Sequence, residues 1–356
     1  MQVEQPVNKT AAVERTAAAI INEYTLTNKR GTKLTASNLG AAVTSLFVKD
    51  KNGNFVDVVL GYDTVSHYKN DEYYIGTVVG RYANRINGDK VLIDEKEYKL
   101  SSKPGGYHLH GGDVGFNKKI FTACPFTLCD AEGISFKYTS PHMEEGFPGE
   151  LHLEVIYTLD DNDQWTIEYK ANCDKTTIIN LTQHTYFNLT GDPSNTIEQH
   201  ELTVQSKYYL PVNDMQVPTG KLEPTCGTAF DFSVAKMIGK DISNEDEQLQ
   251  LSRGYDHSYV LKQESSNELK QVAVVKENTS GIRMDVFTTE PALHFYSGNF
   301  LHNVKGKNGI IYNERSGLCL ETQHFPDAPN HPHFPSTVLN AGEQFYSKTI
   351  FKFTAG

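Results

Sequence analysis

The chain has 356 residues, 38% of them hydrophobic and 22% charged, with 19 Tyr, 18 Phe and one Trp, the make-up of a globular protein large enough to bury a substantial core. Its 33 basic and 44 acidic side chains give a net charge of −11 with no basic block, a field that repels phosphate backbones and anionic membranes and so excludes nucleic acid as a natural partner. No stretch approaches the apolar length needed to span a bilayer, the N-terminus lacks a signal-like start, and five cysteines without Cys-x-x-Cys spacing fit neither a disulfide framework nor a zinc site; a cytoplasmic protein with reduced thiols is expected.

Residues 1–21 read as an N-terminal extension. Residues 10–24 are alanine-rich and could begin a helix capped by Thr10, but a short isolated helix is marginal unless something buries its apolar face, so a frayed extension is the simpler expectation. Beyond it, strand signals dominate, starting with 134–138. Leu151, Leu153, Val155, Tyr157 and Leu159 alternate with mostly polar residues, as do Trp165, Ile167, Tyr169, Ala171 and Cys173, and the turn Asp160-Asp161-Asn162-Asp163 lies between them. This predicts an antiparallel hairpin with one buried face. Similar segments recur at 272–275 and 282–286, separated by the turn-rich Glu277-Asn278-Thr279-Ser280-Gly281. No internal repeat or linker divides the rest, so the expected architecture is all-β, one large antiparallel β-sandwich domain over residues 22–356.

Four polar clusters sit where a strand should end or turn, places where sites are often built. In residues 79–88, Asn84 and Arg85 offer donors suited to sugar hydroxyls. In Leu109-His110-Gly111-Gly112, two glycines let a ligand or another segment come close to a histidine. Residues 180–189 read as a strand-like run in which polar and apolar residues nearly alternate and His184 falls on the polar-rich side. In Gly317-Leu318-Cys319-Leu320-Glu321, a carboxylate follows an apolar strand, where burial without a partner would cost several kcal/mol. Taken singly, each fits a structural role at least as well: a surface arginine, a hydrogen-bonded histidine, an ion pair.

Taken in order, the clusters resemble the aldose 1-epimerases, or galactose mutarotases. The similarity runs from about residue 38 to the C-terminus: Gly80-Arg81-Tyr82-Ala83-Asn84-Arg85-Ile86, Leu109-His110-Gly111-Gly112, Glu144-Glu145-Gly146-Phe147-Pro148-Gly149, Asn180-Leu181-Thr182 with His184 and Tyr186-Phe187-Asn188, Asp256-His257, Phe295-Tyr296-Ser297-Gly298-Asn299-Phe300, and Glu321 with Gln323, Pro326-Asp327-Ala328 and Phe334-Pro335-Ser336. The resemblance implies a galactose mutarotase-like supersandwich whose concave face takes a monosaccharide, interconversion of the α and β anomers of a free aldohexose, and no cofactor. Carried over by position, it implies Glu321 as base, His184 as acid, and His110, Asn84, Arg85, Tyr186 and Asp256 as sugar-binding residues. Nothing in the sequence marks an obligate protein partner.

Anomer exchange needs one group to take the C1 hydroxyl proton while another protonates the ring oxygen, and a carboxylate with an imidazolium suffices. His110 is a second imidazole that could share the acid role. Three departures from the family pattern stand out: His294 where glutamine is usual, Ala292 for the preceding glycine, and Gln183 for the asparagine before the acid. His294 joins the sugar-binding candidates, with packing inside the sandwich as its other reading. His324, His331 and His333, near Glu321 and Asp327, lie in a proline-rich segment without regular ligand spacing, so no metal is expected. The rivals are a silent sugar-binding protein on the same fold, a hexose-phosphate mutarotase, which would call for clustered Arg and Lys, and a glycoside hydrolase, which would pair two carboxylates such as Glu321 and Asp256.

Overall fold

The computed structural model describes residues 20–261 and 268–356. The possible helix in residues 10–24 lies outside the described residues up to residue 19, and Glu23 and Tyr24 open the strand Glu23–Thr27.

The expected hairpin is present as Leu151–Asp160 and Gln164–Cys173, antiparallel, with Leu159 opposite Trp165 and Leu151 opposite Cys173. Its alternation is obeyed along both strands: the apolar residues are buried and their neighbours reach solvent at least in part. The reversal is stabilised by the Asp160 carboxylate, which accepts the backbone N–H groups of Asn162 and Gln164.

This hairpin forms part of a nine-stranded sheet ordered Thr122–Thr127, Ala131–Ser140, Leu151–Asp160, Gln164–Cys173, Gln344–Ala355, Ile282–Thr288, Lys270–Lys276, Glu201–Val204 and Lys236–Met237, with every neighbouring pair antiparallel. A six-stranded antiparallel sheet packs against it, ordered Tyr186–Phe187, Leu318–Gln323, Ala292–Tyr296, Asp256–Val260, Tyr208–Tyr209 and Glu223–Pro224. Their inner faces meet directly: the Phe187 and Phe351 ring centroids are 5.1 Å apart, and the Thr322 and Thr349 hydroxyls are 2.6 Å apart. A four-stranded sheet starting at Glu23–Thr27 adds Leu26, Leu34 and Leu46 to the same core. The molecule is an all-β antiparallel sandwich. The only α-helix among the described residues is Glu247–Ser252, and no helix there is long and apolar enough to cross a membrane.

Two local expectations are corrected. Residues 180–189 do not form one strand, because Thr182–Gln183 pairs with Val78–Val79 whereas Tyr186–Phe187 pairs with Leu318–Gln323, and the chain steps from one neighbour to the other at His184-Thr185. Glu321 does not follow a strand but lies inside one, Leu318–Gln323, in which Leu318, Leu320 and Thr322 face the other sheet and Glu321 falls on the opposite face.

Candidate active site

Side chains two apart on a strand share a face, and this places the chemistry on the outer face of the six-stranded sheet. Leu318 and Leu320, Leu293 and Phe295, and Tyr259 point into the core. Their alternates Cys319 and Glu321, His294 and Tyr296, and Asp256 and Ser258 therefore share the opposite face. The antiparallel register sets His294 opposite both Glu321 and Ser258, and Tyr296 opposite Cys319 and Asp256. Burying Leu320 and Phe295 contributes about 1.5–3 kcal/mol each, and the same burial fixes the direction of Glu321 and His294.

The facing wall comes from irregular segments. Asn84 and His110 both have left-handed backbones, with φ of 61° and 49°. They bind each other: the His110 N–H donates to the Asn84 carbonyl at 3.0 Å and the Asn84 N–H to His110 Nδ1 at 3.2 Å. Gly111 follows at φ +87°, where a Cβ would stand 1.8 Å from the Gly80 carbonyl oxygen, so only glycine lets His110 approach in this way. His184 is held by its main chain, its N–H donating to Thr77 and its carbonyl accepting from Gly76.

All eight residues singled out in the sequence, Asn84, Arg85, His110, His184, Tyr186, Asp256, His294 and Glu321, line one cleft of about 140 Å³. A larger hollow of about 550 Å³ lies by Lys137, His152 and Glu154, but its ionisable groups reach solvent, so convergence of buried groups rather than size marks the site.

Two imidazole–carboxylate pairs sit on the cleft floor. His184 Nε2 is 3.5 Å from Glu321 Oε1, with side-chain exposures of 6% and 2%, and Glu321 Oε2 is buried with no hydrogen-bond partner. His294 Nε2 is 2.7 Å from Asp256 Oδ1, and Ser258 Oγ is 2.9 Å from His294 Nδ1. Burial pushes the Asp256 carboxyl up, but the hydrogen bond and charge of His294, with Arg85 and His257, outweigh it and bring the group down to about 2. Asp256 is an anion at every working pH.

His110 differs from His184. A backbone N–H cannot reverse, so the donor from Asn84 requires Nδ1 to carry a lone pair and leaves the proton on Nε2. Burial, reinforced by the charges of His184 and Arg85, holds the His110 imidazolium form well below the usual histidine range. His110 is therefore a neutral hydrogen-bond donor. Tyr186 gives its hydroxyl to the Tyr73 carbonyl at 2.9 Å, which leaves its ring, 5.1 Å from that of His184, as the face turned to the cleft. Arg85 donates to Gln216 Oε1 at 2.6 Å while its Nε has no partner.

Several sequence blocks support the site from outside it. Buried Arg81 donates to the carbonyls of Pro148 and Gly149 and to Ser140 Oγ, which ties residues 144–149 to the floor beneath the 80s segment. Asp327 accepts the Asn87 N–H and donates its own to the Arg85 carbonyl. His324, His331 and His333 have separate partners, Glu290, Asp327 and the Gly220 carbonyl, and do not converge with Glu321. Ala292 belongs to a small apolar cluster with Val260 and Phe325, and Gln183 donates to the Tyr157 hydroxyl. Sequence reasoning missed Tyr74, which covers His110, and the contact of Cys319 Sγ with His184 Nδ1 at 3.5 Å. The period-two face shared with Glu321 was the available signal for Cys319. His184, Cys319 and Glu321 are close enough together to suggest a metal ligand set, but Cys319 meets Nδ1 and Glu321 meets Nε2, and one imidazole cannot turn both nitrogens to one ion. Burial, with Glu321 and Asp256 nearby, also holds the Cys319 thiol well above its usual range, in the form that does not ligate.

The family model described as "Aldose 1-epimerase" matches residues 22–352. The chain belongs to the aldose 1-epimerase family. It is 43% identical to the galactose mutarotase of Bos taurus over 316 residues, covering 88% of this chain and 89% of that protein. It is 36% identical to the aldose 1-epimerase of Haemophilus influenzae over 332 residues, 92% and 94% of the two chains. Among solved structures, the aldose epimerase homologue from C. elegans superposes with a TM-score of 0.86 at 30% identity, covering 94% of this chain and 99% of that one. Family membership and sandwich fold thus agree over nearly the whole described chain.

Proposed function

We propose that this aldose 1-epimerase family member interconverts the α and β anomers of free aldohexoses, galactose and glucose among them, with Glu321 as base and His184 as acid. The observation that carries the reading is the 3.5 Å spacing of His184 Nε2 and Glu321 Oε1 on a buried cleft floor. The anomeric hydroxyl and the ring oxygen are bonded to the same carbon, so two groups this close together can reach both.

Glu321 takes the proton of the C1 hydroxyl as His184 Nε2–H delivers one to the ring oxygen; the C1–O5 bond breaks and C1 becomes an aldehyde. After rotation about C1–C2, His184 removes the proton from the O5 hydroxyl as that oxygen attacks the other face of C1, and Glu321 returns its proton to O1. Both groups end as they began, so no cofactor is consumed. His110, neutral, serves as a donor rather than the acid. Asp256 accepts from sugar hydroxyls with the oxygen that His294 leaves open, Arg85 and Asn84 donate, and the Tyr186 ring covers an apolar sugar face. The His294–Asp256 pair takes part in holding the sugar. The same reading includes one domain over residues 22–356, a cytoplasmic location, and a monosaccharide as the ligand with no nucleic acid or obligate protein partner.

Polarimetry on freshly dissolved α-D-galactose and α-D-glucose tests this. The expected result is acceleration far beyond the spontaneous rate; binding of either sugar without acceleration would make the protein a sugar sensor instead.

A further inference from the structure

Tyr74 is the cleft residue whose backbone is least expected. Its φ is 58°, the left-handed region that a bulky side chain adopts only when its surroundings impose it. The imposing group is buried Asp71, whose Oδ1 accepts the Tyr73 N–H at 3.0 Å and Oδ2 the Ile75 N–H at 2.8 Å, bracketing Tyr74 on both sides. The Tyr62 hydroxyl, 2.6 Å from Asp71 Oδ1, holds that carboxylate, and Thr77 donates through N–H and hydroxyl to the Tyr74 carbonyl.

This conformation lays the Tyr74 ring over His110, with centroids 4.6 Å apart, and within 5.9 Å of the His184 ring. The hydroxyl makes no hydrogen bond to a described residue, although Tyr74 lines the cleft beside Arg85. Burial, with the charges of Asp71 and Asp113, pushes its pKa up to about 12, so it remains an O–H donor at all working pH values. A hydroxyl that reaches solvent on a residue lining the cleft is placed to meet a polar ligand there.

We propose that Tyr74 is a further sugar-contacting residue, its hydroxyl bonding a sugar hydroxyl while its ring shelters His110. This rests on the mutarotase reading above. The His110 ring meets the rings of Tyr74 and His184 and lies within the fields of Arg85, His294 and His108. The Tyr74 ring covers the imidazole without carrying charge, so stripping it lets water reach His110 and moves its titration up towards the ordinary histidine range.

The test is kinetics and calorimetric galactose binding on Tyr74→Phe and Tyr74→Leu. Tyr74→Phe is expected to raise KM and Kd about three- to tenfold, the loss of one neutral hydrogen bond, with kcat changed less than about twofold. Tyr74→Leu is expected to bring an additional ionisation, shifted up from that of the buried imidazole, into the kcat/KM profile, which a purely structural role would not produce. Unchanged KM and Kd in Tyr74→Phe, or a fall in kcat alone, would overturn the sugar contact. If the wild-type protein does not mutarotate, the functional reading fails by itself, and the Kd comparison still decides the contact.

Discussion

His110 and His184 lie ring to ring, 5.4 Å between centroids, yet their hydrogen bonds give them different chemistry. His110 faces a fixed N–H donor and stays neutral, whereas His184 faces a carboxylate and a thiol that can each meet a protonated nitrogen. The His110 ring is therefore expected to remain neutral at pH 6, with its proton on Nε2, when its 15N shifts are followed by NMR. An imidazolium signal at that pH would return it to the acid role. Asp256 gives a second expectation at this scale. Its carboxyl, held at about 2, offers the sugar a charged acceptor, and hydrogen bonds to charged groups are worth about 1.5–3 kcal/mol. Asp256→Asn should raise KM about ten- to a hundredfold in initial-rate assays with a smaller change in kcat; an unaltered KM would remove it from sugar contact.

Elements decide which residues reach the cleft, and here legibility divides. The strands Leu318–Gln323, Ala292–Tyr296 and Asp256–Val260 are short and buried on both faces, and polar Glu321, His294 and Asp256 share the outer face with apolar Cys319 and Tyr296, so no clean alternation marks them in sequence. The long hairpin at Leu151–Asp160 and Gln164–Cys173 alternates cleanly because only one of its faces is fully buried, and its pattern could be read directly. Individual site residues were legible only through the ordered set of motifs, since His184, His110 and Glu321 each suit a structural role when read alone. Tyr74 and the Cys319–His184 contact escaped because both depend on residues distant in sequence: the Tyr74 ring meets that of His110, and Leu318–Gln323 pairs with Tyr186–Phe187. Gly111 tests how an element places a catalytic group. Gly111→Ala drives a Cβ into the Gly80 carbonyl and strains a left-handed backbone, so it should destabilise the protein by about 1–3 kcal/mol and cut kcat/KM well beyond that loss of folded protein. Denaturation alongside kinetics checks this; wild-type values for both would show that the loop adjusts freely.

Across the whole molecule, buried neutral histidines set the acid limit. His108, His200 and His257 are fully buried, and burial is the main reason their pKa values fall to about 4, 4 and 3. Unfolded, each titrates near 6.5, so the unfolded chain binds the extra protons first. Their full contribution to stability is present above about pH 6.5 and is lost as pH falls, by about 3 kcal/mol each at pH 4. Three such losses match the whole stability of an ordinary domain. Unfolding is expected between about pH 6 and 4, followed by circular dichroism, and His200→Gln should move the midpoint lower. A native spectrum at pH 3.5 would contradict this.

The shared core fixes the six-stranded sheet, which carries Glu321, and the main-chain bonds of His184 to Gly76 and Thr77 set the imidazole beside it; these two groups are the proposed acid–base pair. Mutarotation of fresh α-D-galactose by Glu321→Gln and His184→Asn, followed by polarimetry beside the wild-type protein, tests that pair most directly. Each folded variant is expected to turn over at least about a hundredfold more slowly; near-wild-type turnover in either would contradict the assignment of that residue.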